Sequence, residues 1–281
     1  MYKQTLMIQQ EVRSVVAGVS TACLFPRPLE DSLYDLAVNG IGCVEVFLNT
    51  HSELKKSFAA GIADTLNRFD VKCVSVHPFT CEIEQLAFFS EYERRFTDSV
   101  EYYKHFFSFM NTVGADIFVF HGAKGASPEL FCERFSKLSR IGRESGITVA
   151  LENVSRCRSG SSAFIREAAS MLGSEFAFVL DTKQAIRAKE TPFDFLEAAG
   201  SSTVHVHISD SGELGDCLRI GRGRFRFKQF FARLNELNPQ CSVILELYRN
   251  GFGGISDLVN DYNILLNMTE NAGQSTKHPQ L

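Results

Sequence analysis

Apolar residues along this chain follow two alternating rhythms. Short β-branched runs predict buried strands, and each is followed by three-to-four spacing, which predicts a helix packed by one face. The strands fall at Ser14–Ser20, Cys43–Leu48, Val71–His77, Ala115–His121, Ile147–Glu152, Phe176–Asp181, Thr203–Asp210 and Cys241–Glu246. The helices fall at Leu29–Asn39, Ser52–Phe69, Ser90–Val113, Ser127 to Gly146, Ala163–Leu172, in segments up to Ala199, around Phe227, Phe230, Phe231 and Leu234, and at Ile255–Met268. Ser127-Pro128-Glu129 is a clear helix start: a cap, a proline at the first position and an acid at the dipole's positive end.

Near-continuous apolar strands indicate burial on both faces, as in parallel sheets. Eight strands alternating with helices predict an α/β fold, a single (β/α)8 TIM barrel. Such a barrel takes about 250 residues, and the 281-residue chain contains no Pro-, Gly- or Ser-rich linker. The barrel is expected over residues 14–269, with a leader at 1–13 and a flexible polar tail at 270–281.

Composition narrows the function. A net charge of −4 argues against a sequence-independent grip on nucleic acid, which needs a basic surface. The eight cysteines form no C-x-x-C pair and no signal peptide opens the chain, so a reduced, cytoplasmic protein is expected. Cys43, Cys73 and Cys241 lie at or near strand starts, where small buried thiols are common. No apolar run approaches the ~18 residues of a membrane span. With no tryptophan, the 25 phenylalanines must supply most of the aromatic surface. No G-x-S-x-G elbow supports a serine hydrolase.

Six strands end alike, in His77, His121, Glu152, Asp181, His207 and Glu246. In a barrel all strand ends converge on one mouth, so these distant residues share one cavity. Three carboxylates there repel unless a cation joins them. With a histidine they suit one divalent metal: Mn, Mg, Co or Zn. Alternation puts His205 on the same face as His207 but deeper, as a core histidine. Glu45, among apolar neighbours on the second strand, is expected to orient ligands or substrate. His51, His105 and His278 read as surface residues. Lys183 is either a substrate-binding cation or a solvated helix residue. Arg219, Arg222 and Arg224 flank Gly221 and Gly223, either as a phosphate site or as a solvated basic loop; Arg219 is the candidate substrate contact.

The pieces Val149-Ala-Leu-Glu-Asn153, Val179-Leu-Asp-Thr-Lys-Gln184, Val206-His-Ile-Ser-Asp210, Ile220-Gly-Arg-Gly223 and Ile244-Leu-Glu246 resemble those of the xylose-isomerase-like TIM barrels. That superfamily includes sugar and sugar-phosphate isomerases and epimerases, inosose dehydratases and the family-2 apurinic-site endonucleases. The resemblance runs from about residue 14 to 268. It implies that Glu152, Asp181, His207 and Glu246 hold one divalent metal. It also implies that Glu152 and Glu246 are catalytic, moving protons beside a carbonyl of a small sugar, polyol or sugar phosphate. His77, His121, Lys183, Gln184, Arg219 and Glu45 are then the substrate-binding candidates.

One departure stands out. The family usually carries a histidine three residues after the sixth-strand aspartate, where this chain has Gln184. The endonuclease branch uses that histidine, and another after strand seven, for further zinc ions. The loop Gly215–Gly221 has none. His77 and His121 do match histidines of that branch. A metal-dependent phosphodiesterase is therefore the alternative, with a non-catalytic sugar-binding barrel as a third. No membrane partner is expected, and the oligomeric state, a homo-oligomer included, stays open.

Overall fold

The computed structural model describes residues 15–275. The expected leader at 1–13, His278 and the end of the tail lie outside them. In chain order the elements are β1 (Val16–Ser20), α1 (Leu29–Val38), β2 (Cys43–Phe47), α2 (Lys56–Phe69), β3 (Lys72–His77), α3 (Cys81–Phe88), α4 (Glu93–Val113), β4 (Ile117–Phe120) and α5 (Pro128–Glu144). Then come β5 (Thr148–Glu152), α6 (Ser162–Leu172), β6 (Phe178–Asp181), α7 (Thr182–Arg187), α8 (Pro192–Ala199), β7 (Thr203–Ile208), a hairpin of β8 (Asp210–Gly212) and β9 (Gly215–Leu218), α9 (Phe227–Leu237), β10 (Ser242–Leu245) and α10 (Ile255–Ser275).

The sheet closes in the order β1-β10-β7-β6-β5-β4-β3-β2, and all of these pairings are parallel. The expected (β/α)8 barrel is what forms. The close approach of β1 to β2 needs Gly18, since a Cβ there would lie 2.6 Å from the Cys43 carbonyl oxygen. The main apolar cluster joins strand residues to the helices around them, with Phe106, Phe118, Phe120, Phe131, Phe135 and Phe178 fully buried.

Register sets the site. His207 on β7 pairs level with Asp181 on β6 and with Ile244 on β10. Paired residues share a face and alternate residues repeat it, so Glu246 follows Ile244 onto the His207 side. The four candidate ligands thus come from four adjoining strands.

Some element boundaries differ from the sequence reading. The expected helix from Ser52 is a short 3-10 turn, His51–Leu54, followed by α2. A helix not anticipated, α3, precedes α4. The loop after β7 contains the β8–β9 hairpin, and α10 continues to Ser275, beyond the expected end at Met268.

Candidate metal centre and cavity

Glu152, Asp181, His207 and Glu246 each offer a ligand atom, and these atoms lie within 4.8 Å of one another. His207 Nδ1 is 3.0 Å from Glu152 Oε1, 3.2 Å from Glu246 Oε2 and 3.9 Å from Asp181 Oδ2. Three carboxylate oxygens and one imidazole nitrogen converging on a point are the donor set of a divalent cation, so the residues fit one. Asn153 fixes the spacing of β5 and β6: its Oδ1 accepts from the Asp181 N–H (2.6 Å) and its Nδ2 donates to the Asp181 carbonyl (3.0 Å).

Behind His207 lies Glu45, which is fully buried. Glu45 Oε2 is 3.0 Å from His207 Nε2 and 3.2 Å from His205 Nε2, and the Ser20 and Ser75 hydroxyls donate to the same carboxylate. Donation from Nε2 to Glu45 leaves Nδ1 facing the carboxylates, as a metal-binding imidazole requires. Glu45 is sealed beneath His207 and does not line the cavity, a correction to its place among the substrate-binding candidates. Burial resists charge here, yet the two histidines hold Glu45 well below the usual carboxylate range, and Glu45 and Glu246 hold His207 well above that of an imidazole. His205 is a buried core histidine, as expected, with Nδ1 2.6 Å from the Ser242 hydroxyl.

His77 and His121 face one another, Nε2 to Nε2, at 3.3 Å. His77 Nδ1 donates to the Pro78 carbonyl. His121 Nδ1 lies 3.0 Å from Glu84, whose other oxygen accepts from the His121 and Gly122 N–H groups. Burial works against a proton on either ring. Glu84 overcomes it at His121, while the charge of His121 adds to it at His77. His121 is thus the donor of the pair. His77, His121 and Glu152 form a second cluster of potential ligands beside the first.

Lys183 stands at the start of α7 and is nearly buried. Its ammonium is 2.7 Å from Asp181 Oδ2 and 3.1 Å from Glu246 Oε2. Burial works to strip the proton, but the two carboxylates hold Lys183 well above its usual value, so it stays charged. Burial lifts Asp181 to about 6 against the pull of Lys183. Asp181 caps α7 by accepting from the Gln184 N–H, and Gln184 Oε1 accepts from the Ser155 N–H.

These groups open into a cavity of about 530 Å³. Its polar side presents His77, His121, Glu152, Lys183, Gln184 and Glu246; Ala22, Phe25, Phe47, Pro78, Phe79 and Leu247 form an apolar side. The rim arginines are engaged already. Arg187 grips both Asp216 oxygens and donates to the Tyr248 hydroxyl; Arg156 pairs with Glu82. Arg219 is not brought to the cavity, which corrects its assignment to substrate. It pairs with Asp257 and with the buried Asp261 on α10. Asp210 and the glycine loop form a separate structural unit, in which the Asp210 carboxylate accepts from the N–H groups of Ser211, Gly221, Gly223 and Phe225.

The sequence profile described as xylose isomerase-like TIM barrel matches residues 33–268. The chain belongs to that family. Among curated proteins none matches its sequence significantly. Solved structures of the same fold superpose over most of it. A D-tagatose 3-epimerase-like protein is 20% identical with a TM-score of 0.76, covering 93% of this chain and 100% of its own. D-psicose 3-epimerase from Clostridium cellulolyticum H10, solved with D-tagatose, is 12% identical at 0.73, covering 92% and 99%. A family-2 AP endonuclease from Brucella melitensis is 17% identical at 0.66, covering 84% and 96%.

Within this xylose isomerase-like barrel, sequence reasoning missed Glu84 and Asn153. Glu84 sits on α3, whose apolar Ile83, Leu86 and Phe88 after Pro78 were the available signal. Asn153 closes the piece Val149–Asn153 that carries the resemblance, but nothing in its spacing assigns it a role. No helix of the described residues is long and apolar enough to cross a membrane.

Proposed function

We propose that the protein is a divalent-metal-dependent isomerase or epimerase of a small uncharged sugar or polyol-derived ketone, acting by proton transfer beside a carbonyl. The observation that carries this reading is the convergence of Glu152, Asp181, His207 and Glu246 at the floor of an open cavity. Mn, Mg, Co or Zn held by these four would polarise the substrate's oxygens and acidify the adjacent C–H. The chain's own part is the proton. Glu152 and Glu246 bring carboxylates from different strands to the cavity, one to take the proton from carbon and the other to return it. His77, His121, Lys183 and Gln184 line the same cavity and offer polar contacts to substrate hydroxyls.

The choice of an uncharged substrate rests on the cations. Arg156, Arg187 and Lys183 each already face a carboxylate, and Arg219 is turned to α10. Among the described residues that line the cavity, a phosphate ester would find no free arginine fork. The epimerases among the structural neighbours are named for D-tagatose and D-psicose, which makes these ketoses the first compounds to try.

The experiment is hydrogen exchange into ketoses in D2O with Mn2+. Exchange at the carbon beside the carbonyl supports the reading, with a loss of about 10²–10⁴-fold in Glu152→Gln and Glu246→Gln. Full exchange in both variants would sink it, and preference for phosphorylated ketoses would sink the uncharged-substrate part.

A second reading, a phosphodiesterase with more than one metal, is favoured by the His77–His121–Glu152 cluster. Against it stand Gln184 in place of the family's histidine and the absence of histidine from Gly215–Gly221. Elemental analysis separates the two: one metal per chain fits the isomerase, and two or three fit the phosphodiesterase.

A further inference from the structure

We infer that Lys183 is an internal cation that competes with the divalent ion for shared carboxylate oxygens, and so sets how tightly this centre holds its metal. The inference rests on the metal-centre reading above. The ammonium uses Asp181 Oδ2 and Glu246 Oε2. Those same two oxygens approach His207 Nδ1, at 3.9 and 3.2 Å, so they are turned toward the point where the four donors meet. An oxygen that serves both an ammonium and a divalent ion brings two cations close together, and in a buried site their repulsion is poorly screened. Lys183 is 5% exposed, so water does little to relieve it.

The backbone at Lys183 is held on both sides. The Thr182 hydroxyl donates to the Ser209 carbonyl, and the Gln184 N–H is bound by Asp181 Oδ1. The flexible four-carbon stem is what can move. The Tyr248 ring, which forms part of the cavity wall, already lies with its centroid 5.5 Å from Nζ and 5.2 Å from the Arg187 guanidinium, so the ammonium can leave the carboxylates toward the cavity while keeping an aromatic neighbour. Metal entry then costs the transfer of Lys183 from two carboxylates toward the cavity. The centre holds its metal in exchangeable fashion.

The test is calorimetric titration of the metal-free protein with Mn2+, comparing wild type with Lys183→Met, Lys183→Gln and Lys183→Arg, with folding checked by circular dichroism. The neutral variants are expected to bind Mn2+ about tenfold more tightly or better, and to gain more melting temperature from Mn2+; the arginine variant is not. An equal or weaker Kd in a folded neutral variant overturns the inference and makes Lys183 a prop for Asp181 and Glu246. Should both neutral variants be unfolded without metal, recovery of the fold in Mn2+ supports the inference, and failure to recover overturns it. His207→Gln in the same titration keeps the two ideas apart. If it binds Mn2+ like wild type, the metal centre itself fails. If it loses Mn2+ while the neutral variants do not tighten, only the role of Lys183 fails.

Discussion

His207 Nε2 lies 3.0 Å from Glu45 Oε2, and this contact decides which ring nitrogen of His207 faces the carboxylates. Glu45→Gln keeps the size and removes the charge. The expected result is a metal affinity about 10–100-fold weaker, with the fold retained. Titration of the metal-free variant with Mn2+ reads this directly, and an unchanged affinity would show that Glu45 does not orient the ligand.

Metal binding is expected to depend on pH with a definite sign. Burial disfavours a charged His207, but Glu45 and Glu246 raise it well above its ordinary value of 6.5. At neutral pH a metal must therefore displace a proton from Nδ1, so Mn2+ affinity rises as pH rises toward the folded value. Calorimetry in buffers of different ionisation enthalpy counts that proton. The linkage for the metal-free fold runs the other way. The paired imidazolium contributes fully below the unfolded value and loses its contribution as pH climbs through the raised folded one.

Much of the centre was legible in the sequence, for a geometric reason. Two-residue alternation and parallel closure force strand ends to meet, so Glu152, Asp181, His207 and Glu246 could be grouped across long stretches of chain. What failed was whatever depended on partners from distant helices. Arg219 looked free in a glycine-rich loop, but its acid Asp261 lies 42 residues on, in α10. Glu84 reaches His121 from a helix whose eight residues are too few to show a firm period. Glu45 was recognised as unusual, yet only the structure shows it sealed beneath His207.

Arg219→Ala is accordingly expected to act on stability. Removing the guanidinium leaves Asp261, 1% exposed as a side chain, without its charged partner. The expected cost is about 1–3 kcal/mol in denaturant unfolding, with KM for the substrate unaltered. A raised KM at unchanged stability would return Arg219 to the substrate.

Gly223→Ala tests the loop that Asp210 organises. The added Cβ would fall 2.3 Å from the Ser211 carbonyl oxygen and 2.4 Å from Asp210 Oδ1. Backbone must shift to admit it, so a loss above about 2 kcal/mol is expected, together with faster amide exchange at Gly221 and Phe225. A neutral substitution would mean that this loop is not held by the Asp210 carboxylate.

The strands β5, β6, β7 and β10 are consecutive staves of the closed sheet. The four candidate ligands therefore occupy one arc of the cylinder, while Ala22, Phe25, Phe47 and Phe79 decorate the other. Segments following β1 and β2 can consequently be grafted from a relative, or randomised in a library, to admit a different guest molecule. The arc that carries the four candidate ligands would be inherited untouched.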